Sequence, residues 1–288
     1  MNEAVLAAAQ VSRSFSYEEP DVGLPPPMQR VMRTSWCGRV VTGGERDLAE
    51  EIPVALTYNG ATYAVMMASP FDLEDFALGF TLTEGIVSNL AEIESLAVIP
   101  TSEGVELRMW LGSLRDEALR QRRRRLAGPT GCGLCGLESL SDALRPIRRV
   151  QGDFSVAASS ISAALADITL HQRLNRQTHA THAAAWCRPE HDMVVREDVG
   201  RHNALDKLAG ALAQKGAKAH HGFLLLSSRV SIEMVQKAAT IDIPVIVAIS
   251  APTALAVRAC NEANVTLIAV ARTDGFEVFT HPGRVRGS

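Results

Sequence analysis

The sequence predicts an α/β protein made of a smaller N-terminal α+β subdomain and a C-terminal layered domain with a mostly parallel sheet. Three observations predict it. From Met193 onward, continuous apolar runs alternate with helical segments, the pattern of a parallel sheet covered on both faces. Upstream, two β-prone runs flank Asn59-Gly60, a strong hairpin signal. The 288 residues suffice for one large domain or two modest ones.

In chain order, residues 1–35 are assigned to a disordered or loosely docked tail. They are rich in Ala, Ser and Pro, include Pro25-Pro26-Pro27, and show no sustained periodicity. Residues 36–145 form the N-terminal subdomain. Its hairpin runs from Ile52 to Met67, and Ser69-Pro70 then opens a helix from Phe71 to Phe80 with acidic residues in its first turn. A second hairpin spans Ser95 to Leu111 and turns at Glu103-Gly104. A charged helix, Ser113 to Leu126, ends at Gly128-Pro129 and delivers the chain to a mobile loop holding Cys132 and Cys135.

Residues 146–288 form the layered domain. A helix covers Ile161 to Leu174, and Met193-Val194-Val195 leads into Glu197-Asp198-Val199-Gly200-Arg201-His202 and a further helix. Strands follow at Phe223–Leu226, Val245–Ile249, Thr266–Val270 and Phe276–Phe279. Helices at Ser231–Ala239 and Ala254–Ala263 intervene.

Composition narrows the function classes. Hydrophobic residues at 47% and charged residues at 21% are ordinary for a globular chain. A net charge of -3 argues against a dedicated nucleic-acid binder. No apolar run approaches the ~20 residues of a membrane span, and the start lacks the basic region of a secretion signal. The cytoplasm is the expected compartment, where five cysteines are reactive, metal-binding or inert rather than a disulfide framework.

In open α/β sheets, ligands bind beyond the carboxyl ends of the strands. Those ends are Glu197-Asp198, Ser227-Ser228-Arg229, Ser250-Ala251-Pro252-Thr253 and Arg272-Thr273-Asp274. Two of these loops feed helix starts, which attract phosphate, and Arg229 and Arg272 add positive charge. A nucleotide pocket and a set of plain helix caps weigh equally on this evidence. At Glu197–Asn203, solvated-turn and phosphate-contact readings both stand.

Gly131-Cys132-Gly133-Leu134-Cys135-Gly136 follows the run Arg122–Arg125. Nearby cations favour thiolate, the reacting form of cysteine, and glycines allow close approach. A structural zinc site needs four ligands, and Cys37, Cys187 and Cys260 stand alone. A thioredoxin-type pair belongs at a strand-to-helix junction, which this is not. A carrier cysteine that holds sulfur as a persulfide is the third reading, and two inert thiols the bland one. His182 resembles half of a zinc-deaminase signature, but Ala184 stands where the catalytic Glu would be. It reads as a pocket or core histidine.

Together these residues identify a family. Thr130–Gly136, Thr181-His182-Ala183-Ala184, Glu197–Leu208, Ser227-Ser228-Arg229, Glu233-Met234-Val235-Gln236-Lys237 and Thr280-His281-Pro282 all match motifs of one family, in order, as do Phe71–Phe80 and Thr83–Ile86. The chain resembles the formate dehydrogenase accessory sulfurtransferase (FdhD) family from about Ala55 to Arg284.

The resemblance implies a cytidine-deaminase-like three-layer C-terminal domain and a cytoplasmic homodimer. It implies a sulfurtransferase that takes sulfur from a cysteine desulfurase. The recipient is the molybdenum (or tungsten) bis(molybdopterin guanine dinucleotide) cofactor, before insertion into the catalytic subunit of formate dehydrogenase. Cys132 maps to the persulfide carrier and Cys135 to the neighbouring thiol. The cofactor-contacting loop falls on Val270-Ala271-Arg272-Thr273-Asp274-Gly275, beside Ser228 and Arg229, and guanine nucleotide is expected to occupy the same site. No metal ligands, nucleic acid or membrane are expected. Two departures stand out: His179 replaces a usual glycine, which makes it an added pocket residue, and Thr273-Asp274 replaces a usual Pro-Gly. A non-catalytic cofactor chaperone and a dithiol oxidoreductase are the competing functions.

Overall fold

The computed structural model describes residues 23–112, 146–152, 154–188 and 192–287. The expected helix from Ser113, the thiol pair Cys132 and Cys135, the arginine run and the domain boundary near 145 lie outside the described residues.

The described chain starts with a surprise for the tail assignment. Strand β1 (Met28–Cys37) pairs in antiparallel register with β2 (Val40–Ala49), from Met28 opposite Ala49 to Cys37 opposite Val40. The last residues assigned to a tail are therefore strand. Both faces of this ribbon lie largely in solvent, with Met32 76% and Trp36 74% exposed. A strand shows its period in sequence only when one face is buried, so none was visible.

Strands β3 (Ile52–Tyr58) and β4 (Ala61–Ala68) form the expected hairpin, with Asn59 and Gly60 both at positive φ as a type I′ turn requires. After helix α1 (Leu73–Thr83) come β5 (Ile93–Pro100) and β6 (Val105–Leu111), also a hairpin. The four strands order as β4-β3-β6-β5, with β3 and β6 parallel. Val54, Leu56, Leu107 and Met109 on the inner face pack against Phe76, Ala77 and Phe80 of α1.

The second sheet has six strands in the order β13-β12-β11-β10-β8-β9. These are β8 (His182–Cys187), β9 (Met193–Asp198), β10 (Phe223–Leu226), β11 (Val245–Ala248), β12 (Thr266–Arg272) and β13 (Gly275–Val278). Strands β9, β10, β11 and β12 point one way and β8 and β13 the other, so only the neighbouring pairs β10–β11 and β11–β12 are parallel. The sheet is thus mixed: four of its six strands share one direction, but three of its five neighbouring pairs are antiparallel. The connections from β8 to β9 and from β12 to β13 are too short for the crossover that parallel neighbours need.

Side chains alternate across this sheet. Leu224, Leu226, Ile246, Ala248 and Leu267 face α4 (Arg201–Gln214), α5 (Ile232–Thr240) and α6 (Ala254–Ala263). Leu225, Val247 and Ile268 face α2 (Ala158–His171), which stops short of the expected Leu174 and is followed by the single turn α3 (Asn175–Thr178). The short β7 (Val156–Ala157) and β14 (Val285–Arg286) pair beside it.

Helix α1 joins the two sheets. Its buried residues run almost all round the helix because the small sheet covers one side and α4 the other. The contact with α4 is backbone on backbone. A Cβ on Gly79 would lie 1.7 Å from the Asp206 carbonyl oxygen, and one on Gly210 would lie 2.0 Å from that of Asp75. No side chain larger than hydrogen fits at either position.

Candidate functional site

The carboxyl ends of β10, β11 and β12 form one continuous polar edge. Backbone bonds bind their loops together: Ile249 N donates to Leu226 O at 2.9 Å, Val270 N to Ser250 O at 3.2 Å, and Thr253 N to Val230 O at 3.0 Å. Beside β10, Ser227 Oγ accepts from Ala183 N at 2.8 Å, which locks the start of β8 and His182 to the same edge. Ser228 is buried, its hydroxyl bonded to the Arg229 carbonyl, and Arg229 reaches into solvent.

The expected cofactor loop occupies the rim of this edge. The β12–β13 register shifts between Ala269 and Arg272, and Val270 within that bulge has φ 52°. A β-branched residue in the left-handed region is strained, at a cost of about 1–3 kcal/mol. The bulge turns Arg272 back onto the sheet, where Nη1 donates to Ile249 O at 2.6 Å and Ala271 O at 2.8 Å. Arg272, Thr273, Asp274 and Gly275 remain exposed. The structure therefore brings Ser228, Arg229 and Val270–Gly275 to one edge, with Arg272 tied to the backbone.

The Glu197–Lys207 stretch divides into struts and site residues. Glu197 is buried and accepts from Leu174 N at 2.9 Å, Asn175 N at 2.8 Å and Thr181 Oγ1 at 3.1 Å, which anchors α3. Asp198 pairs with Lys207 at 2.7 Å, both side chains 0% exposed, and also accepts from Ser69 N, Gly200 N and Asn203 Nδ2. Asp206 pairs with Lys237 at 2.9 Å and accepts from Thr83 Oγ1 at 2.6 Å, while Lys237 also reaches Glu84 at 2.8 Å. Arg196 joins Asp75 at 2.7 Å. Ser69, Thr83, Glu84 and Asp75 tie this buried network to the N-terminal half of the chain, so neither the solvated-turn nor the phosphate reading describes these bonds. The sequence hint was a lysine on an otherwise apolar helix face, Leu205 to Leu212.

Arg201, His202 and His182 stand outside this network and are half-buried. Burial, with Arg201 and Arg229 nearby, lowers the His182 pKa against the pull of Asp198. His202 is pushed down to about 4 by burial and by Arg201 and Lys237, which outweigh Glu233 and Glu84. Both rings are neutral at pH 7. Because the unfolded chain binds His202's proton at its ordinary 6.5, the neutral ring's contribution is complete above that pH. It is lost as pH falls toward about 4, by up to ~3 kcal/mol. His202→Gln should remove this acid sensitivity and leave the His182 share. Denaturant midpoints at about pH 7.5 and about pH 5 test it; equal losses in both proteins would refute the assignment.

His179, expected as an added pocket residue, lies elsewhere. It sits at φ 56° after α3 and lines a polar cavity of about 460 Å³ with Gln177 and Arg30, Glu45, Arg46 and Asp47 of the ribbon. Of the cysteines, Cys187 and Cys260 are buried, with thiol pKa values pushed up by burial to about 12, and Cys37 is exposed. Buried thiols of that kind are inert. Among the described residues, no group of three His, Cys, Asp or Glu side chains could hold a metal ion. No helix among them is long and apolar enough to cross a membrane.

Comparison with known proteins adds a family and relatives. The model of the FdhD/NarQ family matches residues 49–286. A protein of Agrobacterium fabrum named sulfur carrier protein FdhD is 48% identical over 259 residues, covering 89% of this chain and 96% of the relative. A Brucella abortus protein of the same name is 50% identical over 242 residues, covering 83% and 90%. Among solved structures, a candidate formate dehydrogenase accessory protein from Desulfotalea psychrophila superposes with a TM-score of 0.70 at 22% identity. That match covers 91% of this chain and 100% of the other.

Proposed function

The chain belongs to the FdhD/NarQ family, and on that premise we propose that it is a sulfurtransferase serving formate dehydrogenase. The Cys132 thiolate attacks the outer sulfur of a cysteine desulfurase persulfide, the S–S bond breaks, and the desulfurase leaves as its thiolate. Cys132 then holds one additional sulfur, with Cys135 beside it in sequence. The recipient is the molybdenum or tungsten bis(molybdopterin guanine dinucleotide) cofactor, held as cargo at the strand-end edge by Ser228, Arg229 and Val270–Gly275. The product is the sulfurated cofactor that the catalytic subunit of formate dehydrogenase accepts.

One observation carries this reading. Near-half identity to proteins named sulfur carriers extends over a stretch so long that it includes Gly131–Gly136. Support comes from the strand-end edge, where a strained bulge, exposed Arg229 and exposed Thr273 and Asp274 lie together as a ligand-binding rim would require. The layering of helices on both faces of the six-stranded sheet supports the cytidine-deaminase-like class within the same reading. The reading extends to a cytoplasmic homodimer.

Intact-mass and peptide-mass analysis after incubation with a cysteine desulfurase and cysteine tests the proposal. A gain of about 32 Da on the peptide holding Cys132 is expected. A loss of about 2 Da, marking an internal disulfide, would favour a dithiol oxidoreductase. An unchanged mass, with formate dehydrogenase maturation surviving alkylation of both thiols, would favour a cofactor chaperone.

A further inference from the structure

The ribbon β1–β2 is folded without a core. Among the described residues it pairs with no other strand, and no ribbon side chain joins any of the three hydrophobic cores. A lone two-stranded hairpin is marginally stable at best in water. Where its base meets α3, the polar cavity lined by Arg30, Asp47 and His179 intervenes. Nine of the thirteen exposed large apolar side chains among the described residues fall in two patches. Six are on the ribbon, where the register places Met32, Trp36 and Val41 on one face. The other three, Val65, Met67 and Trp110, lie on the face of the four-stranded sheet turned away from α1.

Within one chain the two patches do not meet. Val65 stays 61% exposed, and the ribbon lies toward α3 instead. Only Glu50 and Glu51 connect β2 to β3, and Glu50 N, donating to Pro27 O at 3.0 Å, holds that base in place. A second copy offers each patch the other. In a two-fold pair the ribbon of each copy covers the sheet of its partner, so all four patches leave water together. A ribbon docked on a ribbon would leave Val65 and Met67 exposed.

Size and charge agree with this occupant. A standard interface draws about 20–30 residues from each partner, and two strands of ten residues supply the lower figure by themselves. Trp and Met are enriched at interface centres. The charges on both faces are already paired, Arg30 with Asp47 and Arg108 with Glu106, so the contact strips water from no lone ion among them.

We propose that the protein is an arm-exchanged homodimer, in which the ribbon face bearing Met32, Trp36 and Val41 packs on the partner's sheet face bearing Val65 and Met67. This rests on the homodimer in the reading above and names its surface. Symmetry repeats the contact, so one substitution strikes it twice.

Sedimentation velocity on the full chain over a dilution series tests the exchange. Wild type should be a dimer at roughly micromolar concentration. Trp36→Ser and Val65→Lys should each raise the dissociation constant roughly a hundredfold, about tenfold for each of the two contacts. Both positions are exposed, so far-UV circular dichroism should be unchanged. The decisive sample is an equal mixture of the two variants, at a concentration where each alone is monomeric. It should form dimers again, because one ribbon–sheet contact of the mixed pair is intact and both lesions share the other. Should either variant fail to fold, Met32→Ser and Met67→Lys provide the same pair. Full-strength dimers of either variant would overturn the surface while leaving the homodimer reading standing, and so would monomers that do not recover on mixing. A wild type still monomeric at roughly a hundred micromolar would remove the homodimer reading and the exchange with it.

Discussion

Lys207→Met is expected to destabilise the protein by about 3–5 kcal/mol, the cost of stranding one member of a buried ion pair. Lys207 and Asp198 are both fully buried and 2.7 Å apart. Burial pulls the Lys207 pKa down, and Asp198 is the chief group holding its proton in place. The pair does more than neutralise itself. Lys207 Nζ also donates to Ser69 O at 3.1 Å, Ser69 N donates to Asp198 at 3.0 Å, and Asn203 Nδ2 reaches Met67 O at 2.8 Å. The end of β4 is thereby pinned to the turn that starts α4. Removing the ammonium leaves a buried carboxylate without its cation. Chemical denaturation of the variant tests this, and a loss below about 1 kcal/mol would show that the carboxylate finds other solvation. Adding Asp198→Asn to Lys207→Met should recover part of the loss, since the stranded charge disappears.

Gly79→Ala and Gly210→Ala should be comparably damaging, at or above the upper end of the about 1–3 kcal/mol typical of overpacking. The atoms in the way are the carbonyls of Asp206 and Asp75, at 1.7 Å and 2.0 Å from the added Cβ. Backbone cannot rotate aside as a side chain can, so α1 and α4 must separate. Separation would also lengthen the Thr83–Asp206 bond and the Lys237–Glu84 bridge that cross the same joint. The double variant should lose clearly less than the sum of the single losses, because one separation makes room for both methyl groups. Thermal or denaturant unfolding of the three variants provides the comparison. Strict additivity, or single losses under about 0.5 kcal/mol, would mean the helices yield independently.

Several features of this joint could be foreseen only in part. The alternation of apolar strands and helices foretold β10, β11 and β12, but not β8, because those three are covered on both faces and so read as unbroken apolar runs. The same cue is blind to pairing direction, and β8, β9 and β13 join the sheet through antiparallel pairs. Ribbon β1–β2 escaped notice because solvent on both faces erases the two-residue period. At the candidate site, Ser228, Arg229 and Arg272 could be placed from strand ends alone. The role of Glu197 could not, because its partners, Leu174, Asn175 and Thr181, lie far from it in sequence.

Local chemistry along the chain determined the element types, the hairpin at Asn59-Gly60, the thiol pair between glycines and the family motifs, since each depends on residues within a few positions of one another. Tertiary structure alone decided which charged residues of those motifs are struts and which are open to a ligand. Asp198, Asp206, Lys207 and Lys237 each have a partner across the joint between the two sheets, whereas Arg201 Nε and His202 Nε2, in the same run of sequence, have no hydrogen-bond partner. The difference is one of direction: an α-helix turns neighbouring side chains about 100° apart, so adjacent residues on α4 meet the buried joint or the open edge according to the face they occupy.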